Sequence, residues 1–200
     1  MKALFIGVPV GWPGLVVMAF GGLLFFLAVM RMSFASRGGG SPEAGRSGIS
    51  LLGIGLQMLG FASTGFGSIR IALPAASLAS LAQACAVAAL MTGAVALFVA
   101  AARQMGRNWS LVARTRKDHE LVTSGAFAHV RHPIYTALGL FLLGLAVSFG
   151  HERNLLLGLP LFAAGTGLRV REEEKLLRAS FGSAYDDYAT RVKRFVPGLV

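Results

Sequence analysis

The sequence predicts an all-α integral membrane protein, with about five transmembrane helices and further amphipathic helices on the cytosolic side. Three observations predict it. The 200 residues are 54% hydrophobic and only 14% charged, far from a soluble globular average. The apolar residues are gathered into long uncharged runs. The basic residues fall almost wholly on one side of those runs.

The first run covers residues 11–30. A helix of about 20 residues spans roughly 30 Å, the thickness of a bilayer core. It is too long for the apolar part of a signal peptide, and no A-x-A site follows it, so it reads as a retained span. The second run covers 49–69. The third is apolar from 71 to 102, and Pro74 places its helix at about 75–102. The fourth covers 134–150. The fifth begins at 155 and continues as helix into charged sequence, giving a span of about 155–171. Together they form one membrane domain, 1–200, with its chemistry-bearing region at 106–197.

The net charge of +10 does not indicate a nucleic-acid partner, because its distribution follows the membrane. All Lys and Arg except Lys2, Arg70 and Arg153 lie in the loop after span one, the segment after span three, or the C-terminal segment. The positive-inside rule puts those segments in the cytosol and the N-terminus outside. The excess also attracts anionic lipid. An inner membrane of a bacterium is the expected location. Spans one to four carry no charge in their interiors, which argues against a transporter with ionisable groups at mid-membrane.

Cys85, the only cysteine, reads as a small packing residue in span three. The loop "SRGGGSPEAGRSG" at 36–48 reads as flexible linker. The glycines of "GIGLQMLG" and "ALGLFLLGLA" suit close helix approach in lipid. "NWS" at 108–110 matches a glycosylation sequon but falls on the cytosolic side. Trp109, among arginines, reads as an interfacial anchor.

Three polar clusters flank spans four and five. Arg131-His132-Pro133 opens span four. Proline suits the first helical turn, so His132 is expected at a helix entrance beside free backbone N–H groups, a location suited to an anion. Tyr135 follows three residues later on about the same face. "RVREEEKLL" continues span five. Arg169 and Glu173 are four apart, on one face. Of three consecutive acids at 172–174, at least one should turn inward. An Arg and a Glu facing the bundle are costly unless used. "HELVTSG", from His119 to Gly125, holds a short apolar pair before a turn glycine. Gly182 should end the helix that follows span five, and a second amphipathic helix is expected over 184–195. Neither a G-x-G-x-x-G nor a P-loop is present. His119, His129, His132 and His151 do not pair with thiols at metal-ligand spacing, so no metal is expected.

In order, "LVTSGAFAHVRHPIY", one apolar span, then "REEEKLLRASFGSAYDDYATRVKRFVP" resemble the isoprenylcysteine carboxyl methyltransferase family, integral membrane enzymes related to phospholipid N-methyltransferases. "GRNWS" resembles the segment preceding this pattern. The resemblance covers about 106–197. Phe127 stands where the family usually has Tyr, and Ala137 where Gly is common. The resemblance implies an S-adenosylmethionine-dependent methyltransferase that releases S-adenosylhomocysteine. It implies a cofactor pocket between the "LVTSG…RHP" segment and the last amphipathic helices. Leu121, Val122 and Gly125 then line the cofactor, with His119 grouped beside them. His132 binds its carboxylate end, with Arg131 as second choice, and Tyr135 packs near the sulfonium. Arg169 and Glu173 are the catalytic pair facing a lipophilic acceptor, the carboxylate of a prenylcysteine-like or isoprenoid compound. The alternatives are a phospholipid amine or small thiol as acceptor, or a non-enzymatic membrane scaffold.

Overall fold

A computed structural model describes residues 6–35, 48–106 and 121–198. His119 and Trp109 lie outside the described residues, as do the sequon and most of the 36–48 linker. The chain is an all-α membrane protein with one small exception. In order, it forms β1 (Ile6–Val10), α1 (Trp12–Ala35), α2 (Gly48–Gly65), β2 (Ser68–Ile71), α3 (Leu78–Met105), α4 (Pro133–Phe149), α5 (Leu155–Phe181) and α6 (Ser183–Arg191). Short 3-10 turns precede α4 (Gly125–Ala128) and α5 (Glu152–Asn154). The helices α1, α2 and α3 are long and apolar enough to cross a bilayer, and α4 is a shorter apolar helix. The 27 residues of α5 begin apolar and end charged. At 1.5 Å per residue it is about 40 Å long, so its charged half extends beyond its neighbours.

The outward faces of α1 and α2 are apolar, unlike those of a soluble protein. Val16, Phe20, Leu23, Phe26 and Leu27 of α1 and Leu51, Leu52, Met58 and Leu59 of α2 are exposed. The buried residues of α2 are instead Ser50, Gly53, Gln57, Gly60 and Thr64, a stripe of small and polar residues at three- and four-residue spacing. In lipid, burial of apolar surface does not separate inside from outside, and close backbone approach takes over. Two glycine pairs supply it between antiparallel α2 and α5. A Cβ on Gly165 would stand 2.5 Å from the Gly53 carbonyl oxygen, and one on Gly60 would stand 2.8 Å from the Gly158 carbonyl oxygen. Gly165→Val is therefore expected to cost about 1–3 kcal/mol by overpacking. Gly167, whose Cβ would meet nothing within 4 Å, should accept alanine with little change. Paired melting curves check this.

Aromatic rings join the rest. Phe25 meets Phe98 and Phe141 at centroid distances of 4.9 and 5.1 Å, and Phe61 meets Phe141 and Phe162 at 5.8 and 5.9 Å. This chain touches all five long helices. Tilted and edge contacts of this kind are worth about 0.5–1.5 kcal/mol each beyond area burial.

The structure corrects several expectations. The second apolar run does not stay helical to 69. It turns at Gly67 (φ 130°), and Ser68–Ile71 pairs in parallel with β1, Arg70 opposite Pro9 and Ile71 opposite Val10. The α2 end is held from the α4–α5 turn. Asn154 Nδ2 donates to the carbonyls of Ser63, Thr64 and Phe66, and the His151 ring lies against those of Thr64 and Ser68. Helix α3 starts at 78 rather than 75, because the Ser77 side chain caps it by accepting from the Ser80 N–H. Cys85 is exposed, so it faces outward rather than packing. Gly182 ends α5 as expected, its N–H donating to the Arg178 carbonyl. Helix α6 stops at Arg191, short of 195, because Val192 is extended and the chain beyond it is drawn against 130–132.

Candidate functional site

The polar clusters meet where α4 begins and the charged half of α5 emerges. Pro133 is the first residue of α4, and His132 precedes it with φ −125° and ψ 59°. The C-terminal chain runs alongside as a strap. The Arg131 N–H donates to the Lys193 carbonyl (2.7 Å), the His132 N–H to the Arg194 carbonyl (2.9 Å), and Thr136 Oγ1 to the Phe195 carbonyl (3.0 Å). Those two backbone N–H groups are thus taken, so the open anion site expected at the helix entrance is not formed by them. The entrance serves instead to fix the side chains of Arg131 and His132.

Both side chains point to Glu174. Its side chain is only 3% exposed and gathers four cationic groups. Arg194 donates Nε to Oε1 and Nη2 to Oε2, both at 2.8 Å. Arg131 Nη2 donates to Oε1 at 3.2 Å, and His132 Nε2 lies 3.3 Å from the same oxygen. Arg178 Nη1 lies 3.7 Å from Oε2. Burial alone would raise the Glu174 pKa. The hydrogen bonds from Arg194 and His132 outweigh it and hold the carboxyl well below the usual carboxylate range. Burial works against protonation of His132, yet its bonds to Glu173 and Glu174 prevail and raise its pKa above 6.5.

Glu173 occupies the other side of the His132 ring. Its Oε2 is 3.5 Å from His132 Nδ1, and its Oε1 accepts from the Tyr135 hydroxyl. The Arg169 guanidinium lies over the Tyr135 ring, 5.1 Å from its centroid, and donates to Gln57 Oε1 at 3.0 Å. Arg131, His132, Tyr135, Arg169 and Glu173 therefore converge as the sequence suggests. Glu173, with 27% of its side chain exposed, is the accessible carboxylate of the pair. Arg131 is more committed than expected, since Nη1 donates to the Ala189 carbonyl while Nη2 holds Glu174.

Gly125 has φ 60°, and a Cβ there would stand 1.7 Å from Gln104 Nε2. Gln104 Oε1 in turn accepts from the Ala126 N–H, so this glycine lets the 3-10 turn press on the end of α3. Leu121 and Val122 are half-buried in irregular chain just before it. Phe127 is buried, and its carbonyl accepts from the Tyr188 hydroxyl of α6 at 2.6 Å. Ala137 is fully buried among Phe25, Ala94, Phe98 and Ala102. Both departures from the usual sequence pattern therefore occupy packed positions.

Sequence reasoning missed Glu174, Arg194 and Tyr185. A signal for Glu174 was present. The buried row Gly158, Phe162, Thr166, Val170, Glu174 advances by four residues each time, so the inward acid was the one in register with Val170. Tyr185 is fully buried, and its pKa is pushed up to about 12 by burial and the Glu174 charge. Its hydroxyl and Arg131 Nε are buried without a hydrogen-bond partner among the described residues. Buried polar atoms left so are costly, and these two flank the Glu174 cluster. Four guanidinium groups here (Arg131, Arg169, Arg178, Arg194) face three carboxylates (Glu173, Glu174, Asp186). The cluster thus suits a small zwitterion or carboxylate.

A family model described as the isoprenylcysteine carboxyl methyltransferase (ICMT) family matches residues 69–179, more than half of the chain. The chain is 32% identical over 96 residues to a protein-S-isoprenylcysteine O-methyltransferase of Schizosaccharomyces pombe, covering 47% of this chain and 41% of that protein. It is 36% identical over 97 residues to the nickel-cobalt-cadmium resistance protein NccN of Alcaligenes xylosoxydans xylosoxydans, covering 48% and 45%. It is 29% identical over 94 residues to protein-S-isoprenylcysteine O-methyltransferase B of Arabidopsis thaliana, covering 46% and 48%. The match spans less than half the length of each of these relatives.

Proposed function

The chain belongs to the isoprenylcysteine carboxyl methyltransferase family, and on that premise we propose that it is a membrane methyltransferase using S-adenosylmethionine. Its acceptor is lipophilic and carries a carboxylate, as a prenylcysteine-like or isoprenoid compound does. The observation that carries the reading is the Glu174 cluster at the end of an apolar bundle, with the Arg169–Tyr135–Glu173 group directly beside it. A water-soluble cofactor and a membrane-dissolved acceptor can meet only at such a boundary.

The residues fit the cofactor. Its amino-acid end is a zwitterion. The unpartnered Arg131 Nε and Tyr185 hydroxyl supply donors for its carboxylate, and Glu173 an acceptor for its ammonium. His132, Tyr135, Leu121, Val122 and Gly125 complete the pocket. The bound cofactor supplies an electrophilic methyl group on a sulfonium, which leaves as a neutral thioether. Arg169 orients the acceptor carboxylate with its planar fork. A carboxylate attacks as the anion it already is, so no proton need be moved, and catalysis is mostly alignment. Tyr135, held by Glu173, keeps an aromatic face against the guanidinium.

The site end is the cytosolic one in this reading. Arg103, Arg131, Arg169 and Arg194 gather there, while Arg70 in β2 and Arg153 before α5 lie at the opposite end. That puts the N-terminus outside.

A second reading follows from Glu173. Its exposed carboxylate could take a proton from an amine or thiol acceptor. The test for both uses methyl-labelled S-adenosylmethionine and the full chain in lipid. A farnesyl-cysteine analogue, phosphatidylethanolamine and a small thiol are offered in parallel, with Glu173→Gln alongside. Label on the carboxylate acceptor, with Glu173→Gln still transferring, supports the first reading. Label on the amine or thiol, lost in Glu173→Gln, supports the second. No transfer and no cofactor binding would remove both.

A further inference from the structure

Helix α2 lies outside the stretch matched by the family model and brings no titratable group to the site, yet it brings one buried amide. Gln57 is 5% exposed. Its Nε2 donates to Thr166 Oγ1 at 2.8 Å, and its Oε1 accepts from Arg169 Nη1 at 3.0 Å. The amide orientation is fixed by chemistry, because a guanidinium can only donate and the oxygen must face it. A buried amide in a membrane helix is costly unless both its ends are bonded, and here both are.

The backbone is shaped around this contact. A Cβ on Gly53 would stand 2.6 Å from Arg169 Cγ, and one on Gly165 would stand 2.8 Å from the Gln57 backbone nitrogen. Gly53 is thus a slot for the Arg169 stem, one turn from the residue that holds its head. From there the contacts continue from Arg169 over the Tyr135 ring, and from Tyr135 to Glu173.

We propose that Gln57 is a positioning residue: it holds the Arg169 guanidinium over Tyr135, making α2 a wall of the acceptor site. The inference rests on the reading that Arg169 meets the acceptor.

The experiment compares Gln57→Leu, Arg169→Ala and the double variant with the parent, as full chains in lipid. It reads acceptor kcat and KM, cofactor affinity and melting temperature. Gln57→Leu is expected to lower kcat/KM for the acceptor about tenfold, since small misplacements of a positioning group cost heavily. Cofactor affinity should hold, and the Arg169→Ala background should show no further kinetic loss. Thr166→Val, which removes the amide's second anchor, should lose less in the same direction. Equal kinetic losses from Gln57→Leu with and without Arg169 would overturn the inference. So would a lower melting temperature with intact kinetics. The melting temperatures also read the Gln57–Arg169 coupling without turnover. Coupling in a parent that transfers no methyl group would remove the methyltransferase reading and the acceptor wall with it. Absent coupling would remove the positioning contact itself.

Discussion

Glu174→Gln is expected to destabilise the protein by about 3–5 kcal/mol, the cost of breaking a buried ion pair from one side. Glutamine nearly matches the volume, so packing is not the cause. The loss is of charge and of acceptors. Arg131 and His132, with side chains 10% and 4% exposed, would keep their burial and lose their common partner. Glutamine would also turn one donor toward groups that only donate. The strap would lose one of its two Arg194 bonds and the charge that strengthens the other, which loosens its hold on the α4 entrance. Methyl transfer should fall by about 10²-fold or more, since Arg131, His132 and Arg194 are all placed through this carboxylate. Denaturant unfolding in mixed micelles and label transfer measure the two effects. Glu173→Gln is the comparison: that carboxylate is 27% exposed, and its stability loss should stay near or below about 1 kcal/mol.

The same cluster sets a pH window. Folding lowers the Glu174 pKa from 4.5, so its contribution is complete above the ordinary carboxylate range and is lost as pH falls through the folded value. Folding raises the His132 pKa from 6.5, so its contribution is complete below 6.5 and is lost as pH rises through the folded value. The parent should melt highest between these limits. In Glu174→Gln the acid-side decline should flatten, and the alkaline-side decline should weaken, because His132 loses one of the two carboxylates that favour its proton.

The helices were legible because membrane spans are set by local composition. Two of their ends followed from Pro133 and Gly182, each acting within one turn, whereas Pro74 set the start of α3 three residues early because Ser77 caps it. The β1–β2 pair was not legible, because Ser68–Ile71 reads as the junction of two apolar runs at Arg70 and its partner lies some sixty residues away. The convergence of Arg131, His132, Tyr135, Arg169 and Glu173 was legible as clusters at two helix boundaries. The inward acid was left open among 172–174, and i,i+4 spacing from Arg169 drew attention to Glu173, whereas the buried row through Thr166 and Val170 continues to Glu174. Arg194 and Tyr185 reach the site through the turn at Gly182 and the strap after Val192. No spacing within one helix predicts such contacts. Gln57 was hidden for a different reason. A lone amide in an apolar run looks tolerated, and only the partner across the α2–α5 contact gives it a use.

Arg169→Ala is expected to lower kcat/KM for a carboxylate acceptor by about 10²–10³-fold, with cofactor affinity nearly unchanged. The guanidinium lies over Tyr135 and is anchored by Gln57, so its fork is already oriented when the acceptor arrives. Little ordering remains to oppose binding, and alignment of the attacking oxygen depends on it. Arg169→Lys should recover only a small part of the loss. An ammonium keeps the charge but lacks the planar fork that matches a carboxylate and stacks on a ring. The outcome also separates acceptor classes. With a carboxylate acceptor, Arg169→Ala should be far more damaging than Glu173→Gln, because the anion needs orientation and no proton moves. With an amine or thiol acceptor the order should reverse, and the Glu173→Gln defect should ease at high pH as more acceptor is already deprotonated. Ranking the two variants across pH, with each acceptor in turn, therefore identifies which nucleophile this site is built to align.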